Sequence, residues 1–426
     1  MQEDALLLAV TARRDALIGL AQDLIRIPTL NPPGRNYRQI CDYLATRFLA
    51  QGWEVEILRA TGAPGDSDAF PRWNLVARHR GGPGPCVHFN GHHDVVEVGQ
   101  GWTRDPFAAE IDGDRIYGRG ACDMKGGLAA SVIAAEAFLA TCPGFSGIIE
   151  ISATADEESG GYGGVAWLAE RGYFAPERVQ HVIIPEPLHK DRICLGHRGV
   201  WWAEVETRGR IAHGSMPFLG DSAIRHMGAV LREIEDKLYP ALAGRVTRMP
   251  VVPEGARTAT LNINALHGGA AEPQPGDTSL PAPCVADSCR IVLDRRFLIE
   301  ETLPEVKAEL RALLDGLAAR RANFRYEIRD LFEVHPAMTE PDAPVAAATA
   351  RAIEKVMARA PDYVASPGTY DQKHIDRIGK LKNCIAYGPG LLHLAHQPDE
   401  WIGIEDMLDS AKVMALVLAD LLAPVP

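Results

Sequence analysis

The residues Phe89-Asn90-Gly91-His92-His93-Asp94 close an apolar run that starts at Cys86, and their chemistry has no place in a core. Side chains two apart on a strand share a face, so at the end of such a strand His92 and Asp94 point together while His93 points away. That pair suits a metal. One imidazole nitrogen binds a cation while a carboxylate accepts the other ring N–H, which fixes the tautomer and raises the basicity of the ligand. Further acids close other runs: Gly147 to Ala155 leads into Asp156-Glu157-Glu158, and the apolar stretch from His181 to Pro185 leads into Glu186. Between them, Gly118 to Gly127 is a glycine-rich turn that opens a helix and carries Asp123.

A phosphate loop is the competing reading of that turn. It is rejected because the Gly-x-x-x-x-Gly-Lys-[Ser/Thr] order is absent and an acid there repels an anion. Taken singly, Glu158 reads as a helix-start acid, Glu186 as a turn acid and His396 as a surface histidine. Taken together, His92, Asp123, Glu158, Glu186 and His396 would leave uncompensated negative charge in one cleft, a cost that a divalent cation relieves.

The elements that must position these groups alternate between helix and strand. Residues 4–27 carry the apolar stripe of a surface helix, Pro28 and the Asn31-Pro32-Pro33-Gly34 turn end it, and a second helix is expected over 37–51. Strands are expected over 53–58 and 74–80, then in the three acid-ended runs, with a small-residue helix over 127–139. Such alternation predicts an α/β fold with an open, largely parallel sheet, whose ligands bind at the carboxyl ends of the strands. After Gly196 the order becomes strand 200–206, helix 222–238, strands 258–266 and 289–297, helix 303–317 and strand 324–331. That βαββαβ order builds a two-layer, ferredoxin-like unit. The Pro- and Gly-rich stretch 270–283 is a loop within it, and alternation resumes near Glu333. The expected organisation is therefore a first domain made of 1–196 and 333–426, with 197–332 inserted into it.

Composition narrows the function. The chain has 426 residues, 46% of them hydrophobic and 23% charged, and 44 Lys+Arg against 56 Asp+Glu leave a net charge of −12. That charge disfavours nucleic acid and anionic membrane as partners. The eight cysteines form no CxxC pair, so neither a disulfide framework nor a cysteine zinc site is expected, and a reducing cytoplasm fits best. Glu3-Asp4 stands where a signal peptide would be basic. No apolar stretch is expected to reach the roughly 20 residues that span a bilayer.

The set Gly91-His92-x-Asp94, Gly118-Arg119-Gly120 with Asp123 to Gly127, Asp156-Glu157-Glu158, Glu186-Pro187, Ala212-His213 and Ala395-His396 with Asp399-Glu400 resembles the dinuclear zinc amidohydrolases that include acetylornithine deacetylase, succinyl-diaminopimelate desuccinylase, aminoacylase and carboxypeptidase G. The motifs run in order along the whole chain. The resemblance implies a phosphorylase/hydrolase-like catalytic domain with an inserted lid and dimerisation domain, and one or two divalent ions per subunit, zinc first, with manganese or cobalt also fitting. It makes His92 and Glu186 ligands of one metal, Glu158 and His396 ligands of the other, and Asp123 the bridge. Asp94 becomes the partner of His92, and Glu157 the general base that takes a proton from the attacking water and passes it to the leaving nitrogen. Adjacent strand residues point apart, which lets Glu158 bind metal while Glu157 faces substrate.

The same resemblance makes the subunits homodimerise, or form a higher homo-oligomer, through the lid. It brings His213, in Gly209 to Pro217, into the partner's active site to stabilise the oxyanion. Arg296, or its neighbour Arg295, would anchor a substrate carboxylate, and Gly368-Thr369-Tyr370-Asp371 would line the substrate pocket, with Tyr370 as an aromatic or phenolic wall. The sequence departs from the family where Gly268-Gly269 runs into the 270–283 loop without the usual Asn, and where Gly220-Asp221-Ser222-Ala223 replaces Gly-x-Asn-Ala. Adjacent Trp201 and Trp202 should face opposite sides of their strand. The expected reaction is hydrolysis of the amide of a small N-acyl amino acid. The alternatives are release of ammonia from an activated aromatic amine, as 5-nitroanthranilate aminohydrolase does, and a non-catalytic dimeric binding protein.

Overall fold

The computed structural model describes residues 2–270 and 283–422, so nearly all of the 270–283 loop lies outside the described residues. In chain order the strands are β1 (Glu54–Arg59), β2 (Trp73–Arg80), β3 (Gly82–His92), β4 (Glu110–Asp112), β5 (Arg115–Tyr117), β6 (Ser146–Thr154), β7 (His181–Ile184), β8 (Arg192–His197), β9 (Gly199–Arg208), β10 (Thr260–Gly268), β11 (Ser288–Phe297), β12 (Arg325–Val334), β13 (Ala337–Met338), β14 (Asp362–Ser366), β15 (Cys384–Ala386) and β16 (Trp401–Gly403). They belong to two compact units, one of Met1–Gly196, Met338–Val364 and Tyr370–Pro426, the other of His197–Ala337 and Ala365–Thr369.

The sheet of the first unit runs β1-β2-β6-β3-β7-β15-β8-β13, with β14 also paired to β8. Its centre, β6-β3-β7-β15, is parallel, while β1 joins β2, β2 joins β6 and β8 joins β15 antiparallel. The connection from β1 to β2 carries no crossover helix, and without one neighbouring strands pair antiparallel. The helix Gly126–Thr141 covers the centre, with every residue from Gly126 to Ala135 buried. A Cβ on Gly127 would meet the Pro185 carbonyl at 2.0 Å, so glycine alone lets the helix that follows Asp123 seat against the strand end that carries Glu186. The run Ala121–Thr141 is, contrary to expectation, long and apolar enough to cross a bilayer by length and composition, but 78% of its apolar window is buried inside the protein. It is a core helix, packed in one cluster with Leu24, Phe89, Ile151 and Met414. A small sheet, β16-β5-β4, has no counterpart in the sequence reading, because strands of three residues carry no readable periodicity.

The second unit carries the antiparallel sheet β10-β11-β9-β12, the order of a βαββαβ fold. Its helices Ala223–Glu233 and Leu303–Arg320 start at good caps. Ser222 accepts from Arg225 N, and Thr302 with Glu305 forms a capping box. Trp201 is buried in this unit's core with Nε1 donating to Asp330, whereas Trp202 is 37% exposed, as strand alternation requires.

Candidate active site

His92 ends β3 and is buried, with Nε2 3.0 Å from Asp123 Oδ1 and 4.0 Å from Glu186 Oε1. His93 turns the other way. Its Nε2 meets Trp73 O at 2.9 Å, its ring stacks edge-on against Tyr37, and burial pushes its pKa down to about 4, which makes it a neutral core histidine.

Asp123 sits in a turn that begins at left-handed Gly120 and is organised from elsewhere in the chain. Buried Glu400 accepts the backbone N–H groups of Gly120, Cys122 and Asp123 at 3.1, 2.9 and 3.0 Å and pairs with Arg119. The two acids after β6 are placed differently from expectation. The strand stops at Thr154, Asp156 takes φ 63°, and Glu157–Ser159 form one 3₁₀ turn. Left-handed backbone is uncommon for a side-chain-bearing residue, and Asp156 is held in it by Arg72 at 2.8 Å and Tyr37 at 2.9 Å. Turn geometry, not strand alternation, therefore separates Glu157 from Glu158.

Asp94 also acts differently from the expected partner of His92. The His92 Nδ1–H donates to the Asp94 backbone carbonyl at 3.0 Å, and the carboxylate lies farther off at 3.6 Å. That carbonyl fixes the tautomer and leaves Nε2 as the ligand atom. The carboxylate instead accepts the N–H groups of Glu157 and Glu158 at 3.1 and 3.2 Å and Asn31 Nδ2 at 2.7 Å.

The five donors gather into two groups that share Asp123: His92, Asp123 and Glu186, and Asp123, Glu158 and His396. Within each group one ligand atom per residue lies within 4.8 Å of the others. Asp123 Oδ1 faces His92, while Oδ2 is 3.5 Å from His396 Nε2, which is itself 3.0 Å from Glu158 Oε2. Burial and then the Asp123 charge push Glu158 up to about 8 and Glu186 well above the carboxylate range. Burial acts upward on Asp123 too, but hydrogen bonds from His396 and His92 outweigh it and hold that carboxyl low. Hydrogen bonds to Asp123 and Glu158 raise His396 to about 10. So many buried acids on two imidazoles form the environment that a cation neutralises.

Gly368 and Thr369 are half-buried in the second unit. Tyr370 is no pocket wall: it is 4% exposed, its hydroxyl donates to Gln372 Oε1 at 2.5 Å and it lies 3.5 Å from Cys194 Sγ. Arg296 is engaged by Asp294 at 2.7 and 3.0 Å, and buried Arg295 by Glu301, so neither guanidinium is an open anchor. Sequence reasoning passed over Arg198. It is 7% exposed, hydrogen-bonds only to the Thr258 and Pro367 carbonyls, and has no ion-pair partner among the described residues. Burial, then the charge of Arg296, lowers it to about 10. A lone arginine in a polar loop leaves no mark in sequence. His213 is exposed, and its Nδ1 accepts from Ser215 N at 3.2 Å, so Nε2 carries the ring proton outward.

Residues 88–420 match the model of peptidase family M20/M25/M40. The chain is 32% identical over 415 residues to the succinyl-diaminopimelate desuccinylase of Methylobacterium sp. (strain 4-46), covering 94% of this chain and 95% of that protein. Its fold matches human carnosine dipeptidase 1 with a TM-score of 0.74 at 20% identity, over 99% of both chains. It also matches the Bacillus subtilis YXEP protein, a dinuclear metal binding peptidase, with a TM-score of 0.68 at 16% identity, over 97% of this chain and 100% of that one.

Proposed function

This chain belongs to peptidase family M20/M25/M40, and we propose that, as a metal-dependent hydrolase of carbon–nitrogen bonds, it cleaves the amide of an N-acyl amino acid whose acyl group carries a carboxylate, such as succinyl. What supports the substrate class is the likeness to succinyl-diaminopimelate desuccinylases, at 32% identity over 94% of this chain for one of them. Those relatives are named for a succinyl compound, whose acyl group carries a carboxylate.

The donor set fits a pair of divalent cations: two imidazoles and three carboxylates without thiolate, one carboxylate shared, and two acids that burial keeps from ionising together unaided. His92 and Glu186 would hold one ion, Glu158 and His396 the other, and Asp123 both. Zinc suits these ligands first, with manganese or cobalt next. Bound ions would polarise the substrate carbonyl and acidify water. Glu157 belongs to neither group. It takes the proton of the attacking water and delivers it to the leaving nitrogen, a task that typically contributes about 10²- to 10⁴-fold. The subunits pair as a two-fold dimer, and the partner's His213 donates its Nε2 proton to the developing oxyanion. The free state of all eight cysteines suits a cytoplasmic setting.

The experiment is a panel of N-succinyl, N-glutaryl and N-acetyl amino acids with aromatic amines, read for released carboxylate and for ammonia, with chelated enzyme as control. Carboxylate release from N-succinyl substrates, lost on chelation and restored by a divalent metal, is the expected result. Ammonia release from the aromatic amines alone, or full activity of demonstrably metal-free protein, would overturn it.

A further inference from the structure

Glu157 stands at one end of a buried polar row that the reaction as described does not use. Lys373 Nζ donates to Glu157 Oε1 at 2.8 Å, and the lysine side chain is 4% exposed. Two residues earlier, Asp371 Oδ2 accepts Asn90 Nδ2 at 3.1 Å, and Asn90 Oδ1 accepts Ser152 Oγ at 2.7 Å. Ser152 Oγ meets His88 Nε2 at 2.7 Å, His88 Nδ1 lies 3.0 Å from Glu150 Oε1, and Glu150 Oε2 accepts Arg178 Nη2 at 2.7 Å. His88 and Asn90 alternate with His92 along one face of β3, and the register His88↔Glu150 and Asn90↔Ser152 sets the two strands' polar groups side by side. His88, Asn90, Glu150 and Ser152 are fully buried. The interior of such a sheet is apolar by default, and polar groups there are tolerated only when satisfied, at a cost that packed aliphatic side chains avoid.

The row ends on the turn that carries the lysine. Asp371 O accepts the N–H groups of His374 and Ile375, so a fixed Asp371 fixes the helix Gln372–Arg377 and with it the root of the Lys373 side chain. We propose that Lys373 is a positioning residue for the hydrolytic reaction: seated by Asp371 and the polar row behind it, it clamps Oε1 of Glu157 and leaves the second oxygen to exchange the proton with water and leaving nitrogen. The clamp rests on Glu157 being the base. It contacts none of the five candidate metal ligands by hydrogen bond, so its loss leaves the ion sites filled. Burial disfavours the ammonium, but the Glu157 and Asp371 charges outweigh this and hold the lysine above its ordinary pKa, so it acts as a fixed cation.

The test compares Lys373→Met, Lys373→Arg, Glu157→Gln and the Glu157→Gln/Lys373→Met double variant on an N-succinyl amino acid, with metal content by elemental analysis beside kcat and KM. Since a misplacement of about 1 Å costs about 10²-fold, Lys373→Met should lower kcat at least about 30-fold, with KM within about twofold and metal content unchanged. Lys373→Arg should restore most of that loss, and the double variant should be no slower than Glu157→Gln. If Lys373→Met does not fold, Lys373→Leu, which is also neutral and has no donor, takes its place with the same expected split. Wild-type kcat in either neutral variant while Glu157→Gln is inactive overturns the clamp and spares the base. Equal losses from Lys373→Met in the presence and absence of the Glu157 carboxylate also overturn the clamp. Wild-type kcat in Glu157→Gln overturns the base itself.

Discussion

Asp94→Asn changes one atom of a fully buried carboxylate, and the structure sets what that atom is worth. Oδ2 receives Asn31 Nδ2 and Glu158 N, and Oδ1 receives Glu157 N. An amide has one acceptor oxygen, so its better orientation keeps the two bonds at Oδ2 and turns its NH₂ onto the Glu157 N–H. One charge-assisted bond is lost, about 1.5–3 kcal/mol, and one buried donor is left facing another, about 1–3 kcal/mol, for a total of about 2.5–6 kcal/mol. At about 2 °C per kcal/mol for a unit of this size, thermal unfolding should fall by roughly 5–12 °C. Because the lost bond holds the turn that carries both acids, kcat should fall about 10²-fold. The His92 ring keeps its bond to the Asp94 backbone carbonyl, so the His92 ion should remain bound. Calorimetry, steady-state kinetics and elemental analysis on one preparation decide the matter. A variant with wild-type Tm that has lost its metal, and its activity with it, would show that the carboxylate serves His92 and that bracing the two acids is not its task.

Glu157→Ala and His213→Ala proteins should each be nearly inactive and regain partial activity on co-refolding, because a hybrid dimer holds one site with both residues intact. Verified hybrids without recovery would mean that His213 does not act across subunits. Glu150 is held below its ordinary pKa: burial acts upward, but the His88 and Arg178 contacts prevail. A depressed carboxyl contributes stability above its unfolded value, near 4.5, and loses it as pH falls through the folded one. The Tm gap between wild type and Glu150→Gln should therefore be full at pH 7 and shrink as pH falls below the ordinary carboxyl range. A gap independent of pH would put the cost in packing alone.

What the sequence determined by itself is what depends on near neighbours. A strand of period two decides that His92 and His93 part company and that Trp201 and Trp202 do, whatever packs around them. The strand and helix order of the second unit is legible for the same reason, since each of its strands and helices is long enough to show its period. The chemistry of the candidate site was readable too, because acids and histidines at the ends of apolar runs are costly anywhere but beside a cation. The tertiary structure alone decided which partners those groups take. Whether Asp94 spends its carboxylate on a ring or on two backbone N–H groups depends on where a 3₁₀ turn more than 60 residues later returns. Tyr370 reads as a pocket residue until Gln372 and Cys194 take its hydroxyl inward. Arg295 and Arg198 are both buried arginines, and only the folded chain shows that Glu301 pairs with one while the other hydrogen-bonds to the Thr258 and Pro367 carbonyls. Lys373 reaches Glu157 across 216 residues of chain. Such contacts are set by the global packing of the sheet, so they leave no periodicity behind and only the folded chain reveals them.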